Sequence, residues 1–168
     1  MGYTNYWSSK VDQTEEDWQP FIKACRVLYK NMPEYSESAG NCYPDEPLFL
    51  GGCNRYEKAQ FTLDHVYFNG SDGMKRIKKE GYWEDSSDKD LGHETFDFKR
   101  VVHHEFCKTA RKPYDLMVCA VLILAKFYLK DIRVSSDGDE DDWKPALEFV
   151  GKHFPLASMN WKATGFGD

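Results

Sequence analysis

Residues 116–129, "LMVCAVLILAKFYL", form the most apolar run in the chain, interrupted by a single charge at Lys126. A helix of this composition is hydrophobic almost all round, so it has to be covered on most sides. It is shorter than the roughly 18–20 apolar residues that span a bilayer. A buried central helix follows, and the rest of the chain must supply its cover. The stretch before it has the opposite character. "FCKTARKPYD", residues 106–115, sets Lys108, Thr109, Arg111 and Lys112 at the helix mouth, and Pro113 opens the helix at a position proline favours.

Periodicity organises the flanks. "GYTNYW" reads as a short strand rich in β-favouring residues. "TEEDWQP" starts an acidic helix with Pro20 in its first turn. Trp18, Phe21, Ile22, Cys25, Leu28, Tyr29 and Met32 then recur at helical spacing, and Pro33 ends the helix. Residues 33–47 read as a loop and "LFLGGC" as a strand. "QFTLDHVYFNG" is the clearest strand, with Asn69-Gly70 as its turn. Residues 71–92 read as a long polar loop with one helical turn around 74–80, and "HETFDFKRV" as a further strand. After the central helix come a strand, "DIRVSS", an acidic helix start, "DGDEDD", a helix, "WKPALEFVGKHF", and an irregular tail over 155–168 that Trp161 and Phe166 pin to the body. The order β-α-β-β-β-α-β-α over 1–168 predicts one α+β domain, a sandwich. Its sheet is mostly antiparallel, and about three helices pack largely on one face.

One echo runs through the chain. "YWSSKVDQTEEDWQPFIKA" and "RVSSDGDEDDWKPALEF" both read strand, Ser-Ser, acidic loop, Asp-Trp-x-Pro, helix. Either a β-loop-α unit is duplicated or the two helices share start chemistry. A duplication predicts that the two strands lie side by side near a pseudo-twofold axis, with both Ser-Ser turns at one edge of the sheet.

Composition limits the partners. A net charge of −6 argues against a whole-protein field for duplex nucleic acid. The first ten residues lack an apolar leader, and the five cysteines form no CxxC pair. The expectation is a soluble cytoplasmic protein with reduced thiols and no membrane partner. His104-Glu105 fails HExxH because position 108 is lysine. His103-x-Glu105 lacks the PCxxC partner of a zinc deaminase, and "DGDEDD" fails the EF-hand spacing. No P-loop, dinucleotide or nucleophile-elbow motif occurs. No metal or cofactor is expected.

The junction at 108–115 is the principal candidate site. Free N–H groups and the positive dipole at a helix start attract phosphate or carboxylate. Thr109 supplies a hydroxyl and Arg111 a two-bond grip, with Lys108 and Lys112 adding charge. Tyr114 either stacks on a base or packs. Asp115 either caps the helix or accepts from a ribose or base edge. Tyr3, Tyr6 and Trp7 offer flat faces, at least one of them expected in the core. Ser135, Asp137 and Gly138 form a turn with N–H groups to offer. Asn69 is either a polar reader or a plain turn residue. His93, Glu94, Asp115 and Asp137 are the candidate acids and bases.

The blocks "MGYTNYW" and "FCKTARKPYD", with "SSDG", "FNG" and "HETF", give the chain a resemblance to a family of bacteriophage and prophage proteins that has no assigned function. The resemblance implies a phage setting, and a host-cell cytoplasm as the place of action. It marks Tyr3, Thr4, Tyr6, Trp7, Lys108, Thr109, Lys112, Tyr114, Asp115, Asp137 and Gly138 as positions to watch. It also leads to histidine at position 5, where this chain has Asn5.

Three functions fit these observations. The first, slightly favoured over catalysis, is a homo-oligomeric protein that binds a nucleotide-like anion in a cationic, aromatic-lined pocket and sequesters a host-defence signal. The second is an enzyme acting on a nucleotide or modified base. The third is an acidic antagonist of a host protein.

Overall fold

The computed structural model describes residues 2–36, 46–54, 57–71, 76–85, 91–162 and 165–166. Its strands are β1 (Thr4–Ser9), β2 (Phe49–Gly51), β3 (Gln60–Phe61), β4 (His65–Ser71), β5 (Arg76–Lys79), β6 (Tyr82–Asp85), β7 (Phe96–Lys99), β8 (His103–Lys108), β9 (Ile132–Ser136) and β10 (Gly165–Phe166). Its helices are α1 (Glu15–Lys30), α2 (Asp115–Tyr128), α3 (Glu140–His153) and α4 (Pro155–Met159). The fold is α+β with largely antiparallel sheets, as the periodicity predicts.

The strands do not form one sheet. The first sheet runs β10-β9-β1-β8, with β1 antiparallel to both neighbours and β10 parallel to β9. The second is built on β4, which pairs with β2, β3 and β7, all antiparallel. A hairpin, β5-β6, stands apart. Aromatic rings join the two larger sheets: Trp7 of β1 meets Phe96 at 4.8 Å and Phe98 at 6.2 Å, and Trp18 and Phe21 of α1 meet Phe98 at 6.1 and 5.7 Å. Much of the chain's aromatic content is therefore core, at favourable ring separations.

Helix α2 is the hub. Every residue from Asp115 through Ala125 is buried, and α1, α3, α4 and β9 pack around it. The all-round apolar character of the sequence is met by cover on all sides. Thr14 caps α1 through its hydroxyl, and Asp139 caps α3 in a reciprocal box with Asp142.

Several sequence expectations are corrected. Residues 103–108 form β8, a strand that alternation does not reveal, because its inward positions are His103, Glu105 and Cys107 rather than large apolar residues. Asn69-Gly70 is not a turn but lies within β4; the chain turns at Thr62–Asp64, where Thr62 N–H donates to His65 O at 2.9 Å. Gly70 is needed there because Leu91 O would lie 2.2 Å from an added Cβ. Where a helical turn is expected around 74–80, Arg76–Lys79 form strand β5, joined to β6 around Gly81 at φ 81°, and residues 74 and 75 lie outside the described residues. Pro20 sits in the second turn of α1, not the first. The tail carries α4 and β10, and Trp161 stacks on Trp143 at 4.8 Å and 15°. Most of the 33–47 loop, at 37–45, lies outside the described residues.

The echo has a structural counterpart. Placing Ser8-Ser9 on Ser135-Ser136 equates Trp7 with Val134, and these two residues are cross-strand partners. Asn5 pairs with Ser136, while its equivalent Ile132 pairs with Ser9, the equivalent of Ser136. The β1-β9 register is thus the one a local twofold through Trp7 and Val134 requires. Trp18 and Trp143 are each the fourth residue of their helix, both fully buried, and Pro20 and Pro145 are each the sixth. The Ser-Ser pairs stand at opposite ends of the strand pair, however, because the pairing is antiparallel.

Candidate functional site

The 108–115 junction divides the predicted site residues into an inner network and an outer face. Between β8 and α2 the chain makes a tight turn in which Ala110 and Arg111 hold φ of 52° and 55°. Left-handed backbone is uncommon for residues with a Cβ and costs roughly 1 kcal/mol or more for each. The turn is tied down by Thr109 N–H to Tyr3 O at 3.0 Å and Lys112 N–H to Thr109 O at 3.0 Å. Pro113 lies two residues ahead of the helix, so Asp115 is its first residue.

Asp115 is the centre of the inner network. Its Oδ1 accepts from Thr109 Oγ1 at 2.7 Å and from Asn5 Nδ2 at 2.8 Å, and Cys119 Sγ stands 3.6 Å from Oδ2. Asn5 Oδ1 accepts from Ser136 Oγ at 2.7 Å, and Ser136 Oγ lies 3.3 Å from Tyr3 OH and accepts from Gly138 N–H at 3.0 Å. Burial pushes the Asp115 carboxyl up to about 6; the bonds from Thr109, Asn5 and Cys119 and the charge of Arg111 pull the other way without cancelling it. Burial also raises the Tyr3 and Tyr114 hydroxyls and the Cys119 thiol. Asn5 donates to the carboxylate and accepts from the serine with its one amide group.

Two of the three cations expected to grip an anion, Arg111 and Lys112, are engaged internally. The Arg111 guanidinium lies on the Tyr3 ring at 4.2 Å from its centroid and forms an ion pair with Asp142, with Nη2 to Oδ2 at 3.4 Å. Lys112 Nζ donates to Gly92 O. Tyr114 is buried with its hydroxyl on Glu94 O at 2.7 Å, so it packs rather than stacks on a ligand. Trp7 is core. Asn69 bridges two chain segments: Nδ2 donates to His93 O at 2.8 Å and Thr95 Oγ1 at 3.1 Å, while Oδ1 accepts from Gly70 N–H at 2.7 Å and His93 N–H at 3.0 Å. The four acid–base candidates have separate partners. Asp115 is buried, Glu94 Oε2 accepts from Lys108 N–H at 2.7 Å, Asp137 Oδ2 accepts from Thr4 N–H at 3.0 Å, and His93 is exposed with its main chain on Asn69.

The remaining predicted residues meet on the opposite side of the first sheet. Cross-strand register sets them in three rows: Lys108 beside Thr4; Phe106, Tyr6 and Ser135; His104, Ser8 and Arg133. Tyr6 and Phe106 have ring centroids 6.3 Å apart with planes tilted 45°. Phe106 is 51% exposed, and Lys108 Nζ stands 5.9 Å from its ring centroid. Asp137 is exposed beyond Thr4 at one end.

Sequence reading missed Asn5, Cys119 and Ser136 in the network, and Phe106, His104 and Arg133 on the face. Arg133 was recoverable from the alternation of "DIRVSS". Phe106 and His104 were not, because β8 itself was unrecognised. Among the described residues no group of three His, Cys, Asp or Glu is placed to hold a metal, and no helix is long and apolar enough to cross a membrane. Compared with protein-family models, curated proteins and solved structures, the chain matches none.

Proposed function

We propose that the protein binds a nucleotide-like anionic ligand on the outer face of the first sheet, with Tyr6, Phe106, Lys108 and Ser135 as its contacts; Thr4, also expected there, is buried and serves the strand pairing instead. The observation that carries this reading is the Tyr6–Phe106 pair with Lys108 beside it on a sheet face. Phe106 stands half-exposed beside its cross-strand partner Tyr6, so the pair presents aromatic surface at which a base can stack. Rings on a sheet surface stack on bases whatever their identity, and a neighbouring cation meets phosphate. The Asp115 network lies on the other side of β1 and serves as the scaffold that holds β1, α2 and β9 in register. With the phage setting that "MGYTNYW" and "FCKTARKPYD" imply, the role is capture of a host signalling nucleotide rather than its turnover.

The test is retention. The protein is incubated with a panel of cyclic dinucleotides and ADP-ribose derivatives, filtered, denatured and assayed. Intact ligand released from the wild type, and at least tenfold less from a Tyr6→Ala/Phe106→Ala double variant with a near-wild-type melting temperature, is the expected result. Chemically altered ligand in the filtrate indicates an enzyme. Equal retention by the double variant removes the sheet face from the reading.

A further inference from the structure

The proposed ligand face has cations at two opposite corners. Lys108 stands beside Thr4 at one end of β8, and Arg133 stands beside Ser8 at the far end, two strands away on β9, with His104 across Ser8 from it. Tyr6 and Phe106 occupy the row between. At about 3.4 Å per residue and 4.8 Å per strand, Lys108 and Arg133 are separated by about 14 Å along the strands and about 10 Å across them. The phosphate of one nucleotide reaches one corner and leaves the other unused. The rings impose a second limit: with centroids 6.3 Å apart and planes tilted 45°, one flat base cannot lie on both.

We infer that the ligand carries two unpaired bases on one phosphodiester backbone, one base on Tyr6 and one on Phe106, with phosphates directed toward Lys108 and Arg133. The inference rests on the nucleotide reading above and narrows it to a two-base ligand. That chemistry comes from either a short open strand or a cyclic dinucleotide. Exposed aromatics on four-stranded sheets bind single strands in this way, stacking successive bases while basic side chains follow the backbone. The acidic total charge restricts the electrostatic contribution to these local cations, so a short ligand suits the face better than a long polymer.

Titration calorimetry at low salt with AMP, ADP-ribose, the 5′-phosphorylated dinucleotide pApA and cyclic di-AMP tests the inference. At least one two-base ligand is expected to bind tenfold or more tightly than AMP and ADP-ribose. Arg133→Ala, at an exposed position, is expected to bring that ratio down toward one. Which of pApA and cyclic di-AMP binds tighter identifies the source. Equal affinity for all four ligands, or a ratio unmoved by Arg133→Ala, overturns the two-base inference and leaves the nucleotide reading standing. Binding of none of the four overturns both.

Discussion

Asn5 Nδ2 donates to Asp115 Oδ1 at 2.8 Å, joining the first strand to the first turn of the central helix across 110 residues of chain. Both residues are buried, and the Thr109, Ser136 and Cys119 side chains complete the cluster. A carboxylate in such a place is costly to ionise, which gives the fold a specific pH response.

Asp115 takes up a proton more readily in the folded than in the unfolded chain, its pKa being raised from 3.8 to about 6. Folded protein therefore holds the extra proton between about pH 4 and 6. Asp115's contribution to stability is full below that window and is lost as pH rises through it, by an amount on the order of 3 kcal/mol. Asp115→Asn keeps the shape without the ionisation. Urea unfolding at pH 4.5 and 7.5 is expected to show a smaller loss on going to the higher pH for the variant than for wild type. Parallel losses would mean that Asp115 is not the group responsible.

Arg111 is held by two internal partners and in a left-handed backbone, so it acts as structure. Arg111→Ala and Arg111→Gly both remove the Tyr3 and Asp142 contacts. Only glycine also relieves the positive φ, so the glycine variant is expected to be more stable than the alanine variant by about 1 kcal/mol in denaturant melts. An alanine variant at least as stable as the glycine one would contradict the strained turn.

Gly70 and Gly138 differ in what an added methyl would strike. At Gly138 it meets Tyr3 OH at 2.3 Å and Asp142 Oδ2 at 2.7 Å, both side-chain atoms that can shift. At Gly70 it meets Leu91 O at 2.2 Å, a main-chain atom. Gly138→Ala is expected to cost about 1–3 kcal/mol and Gly70→Ala more, read by thermal unfolding. The reverse order would show that the Leu91 segment yields easily.

Trp7 and Trp18 form a matched pair of tests. Trp18 Nε1 donates to Thr62 O at 2.9 Å, whereas Trp7 Nε1 is buried with no hydrogen-bond partner among the described residues. Replacing Trp18 by phenylalanine strands a carbonyl; replacing Trp7 by phenylalanine removes an unmet donor. Trp18→Phe is expected to be the more destabilising by about 1 kcal/mol or more, measured by chemical denaturation of both. Equal losses would indicate that ring volume alone governs both sites.

The 116–129 run, the acidic helix starts and the alternation at 4–9, 96–99 and 132–136 were legible because each rests on local chemistry: apolar periodicity, caps and the two-residue repeat of a strand. The α+β class followed from them. Strand β8 was not legible, since its inward side carries His103, Glu105 and Cys107 and gives no apolar signal. The Asn69-Gly70 pair misled for a related reason: a dipeptide typical of turns serves here to let Leu91 approach and to bridge to His93.

The candidate site shows the same division. The chain by itself determined that cations and hydroxyls gather before a buried helix and that aromatic residues open the first strand. Which of them are available to a ligand was decided only in three dimensions. Asp142 neutralises Arg111 and Asn5 meets Asp115 across more than a hundred residues, while the register of β1 with β8 and β9 puts Tyr6, Phe106, Lys108 and Arg133 on one open face. Local sequence sets a residue's chemistry and the phase of its strand or helix. Long-range pairing sets which groups satisfy one another and which are left facing outward.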